Sequence, residues 1–584
     1  MRCAALWIVM TAATLSAGER EWTSHPPMRP LPAASKRPLG DGPAVFVDAA
    51  RGDDRHDGSK DRPWKTLAHA IGRLEPGETL YLRGGTYYES VKVKAAGTAD
   101  APITVRAFPG ELAILDAGHR EFYESPASAW EPVPDGAPGE FRSVNRYERG
   151  GGAGNFGDSL VPLHRYLNFH DLRSKNELWH KGLSDRADDP NGLYCGPGVR
   201  RDPQTGRIHV RLAHTQLDGL GDRHYRGETD PRKVPLVVAG EDYALSIAAS
   251  KHLIVQDLVI RGAQRAAVLV ENSSDVRLEG VTLYGTASAL RTAKTERLTL
   301  VDSRLRGHAA PWHSRAHHKY RAGAGYLVLA NGQDFEFARC EFTDHHDGIL
   351  LKDAENVLFH HNLVDHFNDD GVELGPKRTT GRMLIHQNLI RRCLLAFSLH
   401  GGRNPPPVEA APGSGCYISR NVIDLREGIY KGPPTEPDPS GAYLNTVGHV
   451  ASDHGGPLWP VCYVYHNTLL LGEDSWRDYY AFGWSKATRG TTRRVYNNIF
   501  VQIDGLPGLN FSMVETTHDF AAGGNLLWGL REGPAAGSEF FAAFRKTPKY
   551  QESRLRHPPG WTTTDLFADP KFAALEVQPT TAPP

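Results

Sequence analysis

The residues best suited to chemistry lie between Thr343 and Leu374, in TDHHDGILLKDAENVLFHHNLVDHFNDDGVEL. An Asp-Gly-apolar step occurs there twice, at Asp347-Gly348-Ile349 and Asp370-Gly371-Val372, 23 residues apart. If the two steps sit in neighbouring coils of a solenoid, Asp347 and Asp370 stack one strand spacing apart, ~4.8 Å. Asp369 and Glu373 then fall beside them. Carboxylates that close repel one another, so some must take up protons or share a cation. Three or four carboxylate groups with room for water suit Ca²⁺, and the absence of thiolates speaks against a softer metal. Asp347, Asp369, Asp370 and Glu373 are therefore the expected ligands of a bound Ca²⁺.

Gly348-Ile-Leu-Leu, Gly371-Val-Glu-Leu and Ala396-Phe-Ser-Leu align as the same strand in three successive coils. Alternation buries Val372 and Leu374 and turns Leu350, Glu373 and Ser398 to the outer face. Proton transfer at such a site needs a group on that face. His400 and Arg403 follow Ser398 directly, and Lys352 lies two residues past Leu350, so these three are the candidate bases. Histidines crowd the neighbourhood. HHKYR, with His317, His318, Lys319 and Arg321, together with Trp312, reads as a groove wall for an acidic sugar. No HExxH or facial triad is present to indicate zinc or iron.

Positioning these groups requires a repeat, and one is visible. Triplets at Gln256-Asp257-Leu258, Glu279-Gly280-Val281 and Asp302-Ser303-Arg304 recur every 23 residues. The series continues through Arg339-Cys340-Glu341, His361-Asn362-Leu363, Gln387-Asn388-Leu389, Arg420-Asn421-Val422, His466-Asn467-Thr468 and Asn497-Asn498-Ile499. A period of that length means stacked coils, and the longer gaps mark loops that grow from one coil. The asparagines at 362, 388, 421, 467 and 498 are expected to form a turn ladder, with Cys340 buried at the same corner. The expected fold is all-β, a parallel β-helix over 234–503. Residues 65–74, apolar at 67, 70, 71 and 74, predict a short helix capping its open end. Strands are expected at Thr79–Leu82, Val91–Lys94 and Ile103–Ala107.

Between 119 and 233 the repeat disappears. That stretch is rich in Gly, Pro, Trp and Tyr, and its alternation at Gly206–Leu212 predicts a β-rich insertion packed on the solenoid. Residues 504–584 read as an irregular C-terminal cover and tail. At the other end Met1-Arg2, an apolar run and small residues at Ser16, Ala17 and Gly18 suit an export signal over 1–18. A Pro-rich linker, 19–43, follows. No later apolar run is long enough to span a bilayer. Lys+Arg (67) nearly cancels Asp+Glu (68), which argues against a nucleic-acid partner. A monomer in the periplasm or the medium is expected. The five cysteines after Cys3 have no metal-ligand spacing.

GETLYLRGGTYYESVKVKAAGTADAPITVRAFPGELAILDAG (77–118), and more broadly 44–118, resembles the N-terminal cap and first coils of secreted right-handed parallel β-helix proteins. That class holds many polysaccharide lyases and some glycoside hydrolases. The carboxylate spacing is similar to the calcium site of the family 9 pectate lyases. Their motif is one Asp on a coil and Asp-Asp-Gly-x-Asp on the next. Asp347 takes the first place here, Asp369 and Asp370 the pair, and Glu373 the last. The resemblance implies a lysine base in the following coil, where this sequence carries Ser398.

Three functions compete on these grounds. The first is a Ca²⁺-dependent lyase cleaving uronate glycans by β-elimination. The second is a glycoside hydrolase using two of the carboxylates. The third is a glycan-binding solenoid without catalysis.

Overall fold

The structure, a computed structural model, describes residues 32–157, 161–177, 192–216, 223–375, 381–401, 413–426, 449–455, 461–471, 492–502 and 519–530, apart from 286, 316 and 324, with parts of the remainder up to 575. The expected export signal lies outside the described residues.

The repeat folds as stacked coils, each giving one strand to each of three parallel ladders. The first ladder runs from Val91–Val93 through Tyr243–Ala248, Ala266–Glu271 and Leu290–Ala293. It continues through the starts of Tyr326–Ala338 and Asp347–His360, then the ends of Leu363–Leu374 and Leu389–Gly401. The second ladder begins at Ala44–Val47 and Thr79–Leu82, and the third at Gly85–Tyr88 and Ala113–Asp116. The register in the first ladder is the one read from the sequence. Ile349 pairs with Val372 and Val372 with Phe397, then Ala451 and Phe482 follow. All five are at most 1% exposed, a continuous apolar column.

The capping helix is shorter than its apolar spacing suggests, Leu67–Ile71. Thr66 caps it by accepting the His69 N–H, and Leu67, Ala70 and Ile71 turn inward onto the first coils. The segment 33–43, expected to be linker, straps the coils. Ser35 Oγ donates to Asp257 at 2.6 Å, Arg37 bridges Asp257 and Glu279, and the Gly40 N–H reaches the Tyr81 hydroxyl.

The asparagine corner forms as expected and extends further. Each Asn accepts the backbone N–H of the corner residue one coil earlier, from Cys340 on Asn362 to Asn498 on Asn525, and Asp565 ends the row. The residue before each Asn from 362 to 498, such as His361 or Arg420, is in the left-handed region at φ 55–57°. That kink frees the amides the side chains then satisfy. Replacing Asn421 by alanine orphans the Asn388 N–H and the groups Asn421 reached. The expected cost is about 3 kcal/mol, a buried-donor penalty counted more than once, read as a fall in the urea midpoint.

All five cysteines 195, 340, 393, 416 and 462 are buried free thiols. The insertion forms its own seven-stranded sheet, in the order Leu236–Val238, Gly154–Phe156, Pro162–Arg165, Gly198–Arg201, Ile208–Arg211, Glu140–Ser143, Trp130–Pro132. Its core gathers Phe122, Trp130, Phe141, Leu163 and Val210, together with Trp312 from the coil loop 307–325.

Candidate active site

The Asp-Gly steps stack for a backbone reason. A Cβ on Gly348 would lie 2.0 Å from the Gly371 carbonyl oxygen, so only glycine lets the two coils approach there. With Leu350 opposite Glu373, the same 23-residue offset sets Asp347 over Asp370, whose N–H donates to Asp347 Oδ1 at 3.4 Å. Leu350, Glu373 and Ser398 do share the outer side of the sheet, in register. That side is not open: their exposures are 6%, 2% and 0%. The loop 307–325 lies alongside, with the Ala309 N–H on the Asp344 carbonyl and the Asp347 N–H on that of Gly325.

Burial pushes the Asp347 carboxyl well above its ordinary range, and Asp370, Asp369 and Glu373 push it further. Asp369 behaves in the opposite way. Burial raises it too, but Arg315, His346 and Lys319 outweigh that and hold it at about 2. Its Oδ2 lies 2.6 Å from Arg315 Nη2, 3.1 Å from Lys319 Nζ and 3.6 Å from His346 Nε2.

Glu373 Oε2 is 2.7 Å from His400 Nε2, an ion-pair distance. Tyr326 pairs with Asp347 in the ladder and its hydroxyl bonds Glu373. Burial, Glu373 and Asp347 raise that phenol, so it keeps its proton. Among the described residues, two trios hold ligand atoms within 4.8 Å of one another: His346, Asp347 and Asp369, and Asp370, Glu373 and His400. The four expected carboxylates are thus neighbours, but Asp369 is turned to the cations of the loop.

The expected groove wall is corrected. Trp312, His317, His318 and Arg321 are at most 2% exposed, and of the five only Lys319 is exposed. The turn His317–Gly323 is a π-helix tucked between the coils and the insertion. Trp312 plugs the insertion core, Arg321 lies 3.9 Å from Asp171, and His317 Nε2 meets the Glu177 carbonyl at 3.2 Å. His164 of the insertion joins His308, His313, His317, His318, His345 and His346 in one buried group. His313 Nδ1 accepts the Ala310 N–H and lies 2.7 Å from His318 Nε2, which must therefore carry its proton.

Lys352 occupies the strand Asp347–His360 but its side chain lies outside the described residues, as does all of Arg403. Sequence reasoning missed Tyr326 and Arg315. Tyr326 was findable, because it lies 21 residues before Asp347, close to one coil. Arg315 sits in a non-repeating loop and carried no such signal.

Comparison with known proteins agrees with the coils. A family described as right handed beta helix region matches residues 243–423. Uncharacterized protein YwoF of Bacillus subtilis is 38% identical over 76 residues, 13% of this chain and 16% of that protein. Pectate lyase PEL9 of Emericella nidulans is 39% identical over 74 residues, 12% of this chain and 18% of that one. The matched stretch thus spans less than a fifth of either relative. A solved structure described as a glycoside hydrolase superposes with a TM-score of 0.45 at 12% identity, over 78% of this chain and 96% of that one. The described coils, with the right handed beta helix region matched over 243–423, form a right-handed parallel β-helix.

Proposed function

We propose that this chain is an exported polysaccharide-degrading enzyme that cleaves uronate-containing glycans by β-elimination with Ca²⁺. The observation that carries the reading is the cluster of Asp347, Asp370 and Glu373, with Asp347 driven up by its neighbours. Three oxygen-donating carboxylates brought this close together fit a hard divalent cation. Asp347, Asp370 and Glu373 would hold it, without Asp369, whose charge Arg315 and Lys319 already balance. A cation there neutralises the substrate carboxylate and acidifies the proton α to it.

His400 takes that proton in this reading. It lies two residues past Ser398 on the same strand, hence on the same side, 2.7 Å from Glu373. Ser398 is wholly buried and has no basic group to offer. The C–H electron pair forms the new double bond, the glycosidic C–O bond breaks, and the leaving oxygen takes its proton from the Tyr326 hydroxyl. No helix among the described residues is long and apolar enough to cross a membrane, and a polymeric substrate calls for action outside the cell.

One observation favours a hydrolase instead. Asp347 is pushed up while Asp369 is held at about 2, and carboxyls driven apart in this way can divide acid and base roles. Purified protein given acidic and neutral polysaccharides, with and without chelator, separates the readings. Unsaturated, ultraviolet-absorbing ends that vanish with chelator are expected. Saturated reducing ends that survive chelator would establish the hydrolase, and retention without cleavage a binding protein.

A further inference from the structure

Arg315 and Lys319 spend their charge on a single atom. Arg315 Nη2 and Lys319 Nζ both donate to Asp369 Oδ2, at 2.6 and 3.1 Å. The Arg315 Nε is buried and has no hydrogen-bond partner, so the guanidinium fork is only half used. Lys319 keeps two further protons, and its side chain is 40% exposed against 17% for Arg315 and 16% for Asp369. Two cations therefore meet one anion at the solvent edge of the site. The pair stands on the loop that runs beside Asp347, next to where a glycan would react.

We infer that Arg315 and Lys319 form a carboxylate clamp for an acidic glycan, and that Asp369 occupies it as an internal stand-in when no glycan is bound. The fork geometry of a guanidinium matches a carboxylate, so a glycan carboxylate can take the place that Asp369 holds. The inference rests on the uronate reading above and adds which side chains select the acid group. Asp369 on this account competes with substrate and does not hold the cation.

The test is affinity electrophoresis in the cold, with calcium present, through gels containing polygalacturonate or its neutral methyl ester. Lys319→Gln is expected to weaken retention by polygalacturonate about tenfold and leave the ester unaffected. Asp369→Asn is expected to strengthen retention about fivefold, because the clamp loses its competitor. Lys65→Gln, an exposed lysine near the N-terminal cap, controls for the loss of one positive charge and should change retention less than twofold. The clamp is overturned if Lys319→Gln and Lys65→Gln behave alike, or if Asp369→Asn weakens retention. Product assays keep the two readings apart. Wild-type protein that is retained but never cleaves sinks the lyase and leaves the clamp. Cleavage by wild type with both variants retained normally sinks the clamp alone.

Discussion

Asp370→Asn is expected to lower kcat/KM on uronate glycans at least about a hundredfold, while making the chelator-treated protein more stable. The two effects share one cause. Asp370 neighbours both Asp347 and Glu373, so its charge counts in holding a cation and in the repulsion without one. Removing one such electrostatic contributor typically costs two to three orders of magnitude. The same change lets Asp347 ionise more easily, and each pKa unit recovered is worth about 1.4 kcal/mol. An unfolding midpoint that rises in chelator while turnover collapses marks a site built against stability. Turnover within tenfold of wild type would contradict the role given to Asp370.

Acid is expected to unfold the molecule at the insertion first, between about pH 6.5 and pH 4. Burial lowers His317 and His346 to about 4, and holds His164, His313, His318 and His345 well below the ordinary imidazole value. A depressed imidazole is neutral in the folded chain, so its stability is complete above the unfolded value, about 6.5. As pH falls below that, the unfolded chain binds protons that the folded one cannot. Stability then drops by about 1.4 kcal/mol per pH unit for each such ring. Two rings alone, His317 and His346, remove about 6 kcal/mol by pH 4, a large share of ordinary stability. Asp347 works the other way, since protonation relieves it, but it is one group against six. Asp369, held at about 2, loses its contribution only below pH 4. A melting series from pH 8 to 4, with limited proteolysis at each step, should show a steep fall below pH 6.5 and cutting within 119–233. A flat profile to pH 5 would contradict neutral burial of the cluster.

What repeats was legible in the sequence. The triplets gave the coils, the asparagine corner and the alignment of Gly348, Gly371 and Ala396, because stacking forces equivalent residues into register. The strands Thr79–Leu82 and Ile103–Ala107 and the short capping helix were likewise readable from alternation and spacing. What depends on the insertion was not. Nothing in HHKYR or Trp312 tells that a separate seven-stranded sheet covers them, so a charged, aromatic run looked like a surface. Glu373 faced the predicted side yet is buried, with His400 and Tyr326 beside it. Asp369 fitted a ligand motif by position, but its partners Arg315 and Lys319 come from a loop whose path no periodicity sets.

The central claim is that Asp347, Asp370 and Glu373 act together as one cation-holding unit. Calcium titration calorimetry tests it most directly. The account predicts one saturable Ca²⁺ per chain in wild type, lost in Asp370→Asn and Glu373→Gln and kept in Asp369→Asn. No saturable heat in wild type, or a loss in Asp369→Asn as complete as in Asp370→Asn, would contradict it.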